Sequence, residues 1–142
     1  MDTLSQITDI VHWYNRLPKG FSEIGKLQDA IRKIATLLFY FSGEVGDAYE
    51  QKNQKEFSRK VAQSKQEDFL IKEGKSAAAA KKMAEVAVES LLNLEQQSDS
   101  IYRKSNLLLE NAKNVMEAMR QQISNLKQER SLELQGGMAQ QK

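Results

Sequence analysis

Apolar residues along the chain recur three and four positions apart, the spacing that gathers side chains on one face of a helix. Leu4, Ile7, Ile10, Val11 and Tyr14 form the first such group and predict a short docking helix over residues 1–17. It ends before Leu17-Pro18-Lys19-Gly20, where proline removes a backbone donor and glycine frees the chain to fold back. Ser22 stands where a cap for the next helix belongs. Ile24, Leu27, Ile31, Ile34, Leu38, Phe41, Val45 and Ala48 then alternate steps of three and four, a heptad seam on a first long helix over 22–65. Leu37, Phe39 and Tyr40 widen that stripe, so more than one partner helix is expected against it. Gly43 and Gly46 are expected to mark a bend, a loop or a close contact.

Apolar positions thin out after residue 52, and residues 66–76 read as a connection containing Gly74. Ser76 is placed to cap a second long helix over 77–131, opened by Ala77-Ala78-Ala79-Ala80. Two sets spaced by sevens run along it. One passes through Ala77, Ala84, Leu91, Ser98, Ser105, Ala112, Met119 and Leu126, the other through Ala80, Ala87, Leu94, Ile101, Leu108, Val115 and Gln122. Ser98, Ser105 and Gln122 are polar groups able to fix register. A continuous helix of this length would run roughly 75 Å, too long to pack wholly inside a compact domain. The first long helix folded back upon it, or a partner subunit, must cover its seam. The fold expected is therefore all-α: a short N-terminal helix packed on a long antiparallel helical hairpin or coiled coil, forming one domain over 1–134. Residues 135–142 lack any apolar period and are expected to be a disordered tail. Ile24, Leu27, Ile31, Ile34, Leu38, Phe41, Leu91, Leu94, Ile101, Leu108, Val115 and Met119 are the expected packing and oligomer seam, and a homo-oligomer is expected.

Composition narrows the chemistry. With no cysteine and a single histidine, thiolate zinc sites, disulfide scaffolds and His-based metal clusters are excluded. The most apolar run, residues 34–41, is far short of the roughly 20 residues a membrane helix needs. The N-terminus carries no basic region followed by an apolar core. A cytoplasmic protein without membrane contact is the expectation. His12, beside Trp13 and Tyr14, has no evident acid or nucleophile partner, and carboxylates such as Glu85 and Glu89 suit exposed helix faces. No enzyme, cofactor or metal is expected.

Charge is distributed unevenly. Residues 52–82 carry nine basic side chains against four acidic ones, while the flanking stretches 1–51 and 83–119 are net acidic. A basic block of this kind attracts a phosphate backbone without reading sequence. The candidate nucleic-acid contacts are Lys52, Lys55, Arg59, Lys60, Lys65, Lys72, Lys75, Lys81 and Lys82, joined by Arg32 and Lys33 from earlier on the first long helix. On a helix, Lys52, Lys55 and Arg59 share a face. Tyr49 and Phe57 are the candidate rings on which bases stack.

Leu38-Phe39-Tyr40-Phe41-Ser42-Gly43 resembles the aromatic pair plus Ser/Thr-Gly motif of the recombination mediator proteins of T4-type phages. Leu107-Leu108-Leu109, Ala118-Met119-Arg120, Ile123 and Lys127 are similar to that family's terminal helix. The resemblance covers about a third of the chain. It implies an oligomeric helical protein that binds single-stranded DNA and helps a recombinase displace the single-strand-binding protein. Ala35 and Leu37 stand where the family carries basic residues, so the contact candidates come from the charge distribution instead. The expectation is a non-enzymatic single-stranded-DNA-binding accessory factor in phage-type recombination or replication, with a recombination or replication protein as partner. If phage-encoded, it would act in the bacterial host cell. Two other readings stand beside it: a scaffolding coiled coil whose basic block meets an acidic protein, and a phage-type inhibitor that binds a host protein.

Overall fold

A computed structural model describes residues 2–140. Its four helices are α1 (Thr3–Asn15), α2 (Ile24–Lys72), α3 (Ala77–Ala87) and α4 (Glu89–Gln140), and there is no strand among the described residues. The all-α reading holds. The chain divides into two compact units, one formed by Met1–Gly43 and Leu108–Lys142 and the other by Glu44–Leu107.

In the first unit, α1 opens with Asp2, whose carboxylate accepts a hydrogen bond from the Ser5 amide at 2.7 Å. The chain turns through Pro18 and Gly20, which adopts φ +83°, a conformation that costs glycine nothing. Phe21 N–H closes this turn on Pro18 C=O. At the start of α2, Leu27 N–H donates to Glu23 C=O, so Glu23 rather than Ser22 stands at the helix boundary. The core collects Ile7 from α1, Leu27, Ile34, Leu38 and Phe41 from α2, and Leu109, Ala112, Met119 and Ile123 from α4. Burying these side chains removes apolar surface from water and is the main stabilising contribution. Gln122 ties the helices together: its amide nitrogen donates to Phe21 C=O at 2.9 Å and its oxygen accepts from the Tyr14 hydroxyl at 3.2 Å. Buried polar groups stabilise only when paired, and this amide is paired at both ends.

The second unit is a helical hairpin. Tyr49 meets Tyr102, Lys52 meets Asp99 and Arg59 meets Glu95, so partner numbers fall on α4 as they rise on α2. That is antiparallel pairing. Helix α2 continues to Lys72 rather than ending at 65, and the expected connection over 66–76 shrinks to residues 73–76. Gly74 supplies the stop signal. It sits at φ +93°, with Gly74 N–H bonded to Ile71 C=O and Lys75 N–H to Leu70 C=O, the two bonds of a glycine-terminated helix end. Ser76 caps α3 as expected, its hydroxyl oxygen accepting from the Ala79 amide at 3.2 Å. The second long helix is interrupted once, at Val88, although Val88 N–H still reaches Ala84 C=O and Leu92 N–H reaches Val88 C=O.

Three further expectations are corrected. Gly43 and Gly46 make neither loop nor close contact: both lie within α2, and an added Cβ at either would meet nothing within 4 Å. The expected disordered tail is helical as far as Gln140, because Gly136 and Gly137 lower helix propensity without breaking the backbone ladder. Residues 141–142 of that tail lie outside the described residues. The seam on α4 also takes a different second line. Leu94 and Ile101 are 43% and 60% exposed. The α4 positions turned toward α2 are instead Glu95 and Tyr102 in the hairpin, followed by the buried Leu109 and Ile123 in the first unit. Leu91, Leu108 and Val115 are half-buried, as are Ile24 and Ile31 on α2, while Met119 is wholly buried.

Candidate functional site

The expected nucleic-acid face divides into two groups. Arg59 and Lys52 point across the hairpin rather than outward. The Arg59 guanidinium meets the Glu95 carboxylate through Nε at 2.5 Å and Nη2 at 3.3 Å, and it also donates to Gln63 at 3.1 Å. This fork against a carboxylate is among the strongest ion-pair geometries available to a side chain. The hydrogen bond to Glu95 raises the Arg59 pKa beyond its ordinary value. Lys52 lies 3.7 Å from Asp99, with its ammonium 5.7 Å from the Tyr49 ring centre and 5.2 Å from that of Tyr102. Arg103 reaches the other oxygen of Asp99 at 2.9 Å. Tyr49, offered as a stacking ring, is 5.3 Å from Tyr102 by ring centres.

These contacts make the middle of the hairpin seam polar, while Val45, Leu70, Ala80, Ala84 and Val88 bury apolar surface elsewhere in the same unit. Sequence reasoning assigned Lys52 and Arg59 to DNA because they share a helical face with Lys55, and Tyr49 because its ring lies close to them in the chain. The signal that distinguishes a seam is the pair of carboxylates Glu95 and Asp99, one turn apart on the facing helix and opposite in charge to Arg59 and Lys52.

The second group remains available to solvent. Lys65, Lys72, Lys75, Lys81 and Lys82 are all exposed around the α2–α3 turn, and none of them forms an ion pair among the described residues. Lys60 is exposed and paired with Glu56 one turn earlier at 2.8 Å. That lysine's hydrogen bond and positive charge hold the Glu56 carboxyl below its ordinary pKa. Lys55 is half-buried and unpaired. Arg32 and Lys33 belong to the first unit, on the exposed side of α2, where Lys33 edges an open groove of about 380 Å³ that also includes Trp13. Phe57 is 69% exposed and so free to stack. Phe69, which the sequence reading passed over, is exposed beside the basic turn, and its place between Asp68 and Leu70 in a mostly polar stretch was the available clue.

Among the described residues no group of three His, Asp or Glu side chains is placed to hold a metal ion, and no helix is long and apolar enough to cross a membrane. Comparison with protein-family models, curated proteins and solved structures finds no match for this chain.

Proposed function

We propose that the protein is a non-enzymatic binding factor that holds single-stranded DNA at the basic end of its α2–α3 hairpin. The observation that carries this reading is the set of exposed, unpaired lysines at 65, 72, 75, 81 and 82 around one turn, with the Phe69 ring beside them. Lysines without carboxylate partners release counterions when they meet phosphates, and an exposed ring gives an unpaired base a surface on which to stack. The resemblance to phage recombination mediators supplies the biological setting: recombination or replication, with a protein of that machinery as partner and a homo-oligomer as the working form. Arg59 and Lys52 are left out of this site, since recruiting them to phosphate would strand Glu95 and take from Asp99 one of its two cationic partners.

The test is fluorescence anisotropy of a labelled oligothymidylate and of a duplex of equal length, measured across a salt series. The expected result is tighter binding of the single strand, with a steep salt dependence. Replacing Lys72, Lys75, Lys81 and Lys82 together by Ala should weaken binding and reduce the salt slope by about 3 or more. Equal binding by this variant, or no binding at low salt, would reject the site.

A further inference from the structure

The first unit shows how a third helix is accommodated on α2 and α4. On α2, Leu27, Ile34 and Phe41 are 0–2% exposed, and Ala30 and Lys33 between them line a groove with Ile10 and Trp13 of α1. On α4, Leu108, Val115 and Gln122 form a half-buried line spaced by sevens, and Gln122 is bonded to Tyr14 of α1. Both helices keep this seven-residue phase into the hairpin. Leu38, Val45, Lys52 and Arg59 succeed one another by sevens on the side of α2 nearest α4, the first two buried and the last two paired with Asp99 and Glu95. The flank positions that follow Leu27, Ile34 and Phe41 in the hairpin are therefore Lys55, Ala62 and Phe69, and those that precede Leu108 on α4 are Ile101 and Leu94.

Among the described residues no third helix covers Phe69, Leu94 and Ile101 in the hairpin. Phe69 is 56% exposed, Leu94 43% and Ile101 60%. The charged residues on this flank between 51 and 72 of α2 and between 87 and 104 of α4 are the lysines Lys55, Lys65, Lys72 and Lys104 and one carboxylate, Asp68, so basic charge is in excess. Among the described residues none of the four lysines forms an ion pair. We infer that this flank of the hairpin is a docking groove for an acidic amphipathic helix of a partner protein, seated in the second unit as α1 is seated in the first. Its apolar stripe lies along Phe69, Leu94 and Ile101, and its carboxylates meet the lysines on the rim. Helix-in-groove recognition uses an apolar stripe read at helical spacing, with charge at the rim setting the choice of partner. This groove shares Lys65, Phe69 and Lys72 with the DNA reading, and the two are told apart at Lys55, Lys104 and Ile101, which the DNA test variant leaves in place.

The probe is a labelled synthetic peptide of about four helical turns that carries the apolar spacing of α1 and glutamate at its outward positions. A second peptide has lysine in place of each glutamate. The acidic peptide should bind the full chain in a salt-sensitive manner, and the basic one should not. Ile101→Gln, and separately Lys55→Glu combined with Lys104→Glu, should each weaken binding about tenfold or more while leaving the circular dichroism melt unchanged. Equal binding of both peptides, or unaltered affinity in both variants, would overturn the proposal. So would light scattering that shows a dimer converted to monomer by Ile101→Gln, which would give the groove to a second copy. An oligonucleotide that displaces the peptide, and whose own binding is lost in the Lys55→Glu/Lys104→Glu variant but kept in Ile101→Gln, would give it to nucleic acid.

Discussion

Arg59 on α2 and Glu95 on α4 are joined by a two-pronged ion pair that bridges the hairpin, with side chains 20% and 17% exposed. Removing either partner leaves a largely desolvated charge without its counterion, which costs more than the intact pair contributes. Arg59→Ala and Glu95→Ala should each destabilise the protein by about 1–3 kcal/mol, less than for a fully buried pair because solvent still reaches both groups. In a double-mutant cycle from urea unfolding, the two losses should be strongly non-additive. Additive losses would show that the pair is not coupled.

The two seven-residue lines on α4 make opposite predictions. Met119 is fully buried, so Met119→Ala should cost about 2–5 kcal/mol, whereas Ile101→Ala, at an exposed site, should stay within about 0.5 kcal/mol. Thermal or urea melts of the two variants check this directly. A large loss at Ile101 in the isolated protein would mean that something covers it.

Gln122 holds Tyr14 and the Phe21 carbonyl, so it fixes where α1 and the following turn meet α4. Gln122→Ala should cost about 1–2 kcal/mol through the groups left unpaired. Amide exchange in α1 should accelerate more than in the hairpin, and the fluorescence of Trp13 reports the same loosening. Uniform acceleration across all helices would argue against a local role.

The Glu56 carboxyl is held below its ordinary pKa by the hydrogen bond from Lys60 and by that lysine's charge. A carboxylate depressed in the folded state adds stability that is fully present above its unfolded pKa of about 4.3 and is lost as pH falls through the lowered folded value. Carboxyl-carbon NMR titration should therefore give Glu56 a midpoint below that reference, and Lys60→Gln should move it upward. A midpoint that Lys60→Gln leaves in place would assign the shift to another cause.

The periodicity of Leu27, Ile34, Leu38 and Phe41 determined the buried face of α2, because apolar side chains have one favourable place to go and a helix puts them on one side. Pro18, Gly20 and Ser76 marked their turn and cap for equally local reasons, and Gly74 carried a stop signal that outweighs the thin apolar pattern before it. Local rules extend no further than a few residues. Which of two lines on α4 faces α2 in the hairpin was decided by partners distant in the chain: Glu95 and Asp99 turn inward because Arg59 and Lys52 are there to neutralise them, and this rotation leaves Leu94 and Ile101 outside. The sequence by itself determined an all-α chain with a heptad stripe on α2 and a block of excess positive charge. Only the tertiary structure decided which of those charges are already paired, since an ion pair depends on two helices meeting and hydrophobic spacing along one helix carries no information about the other.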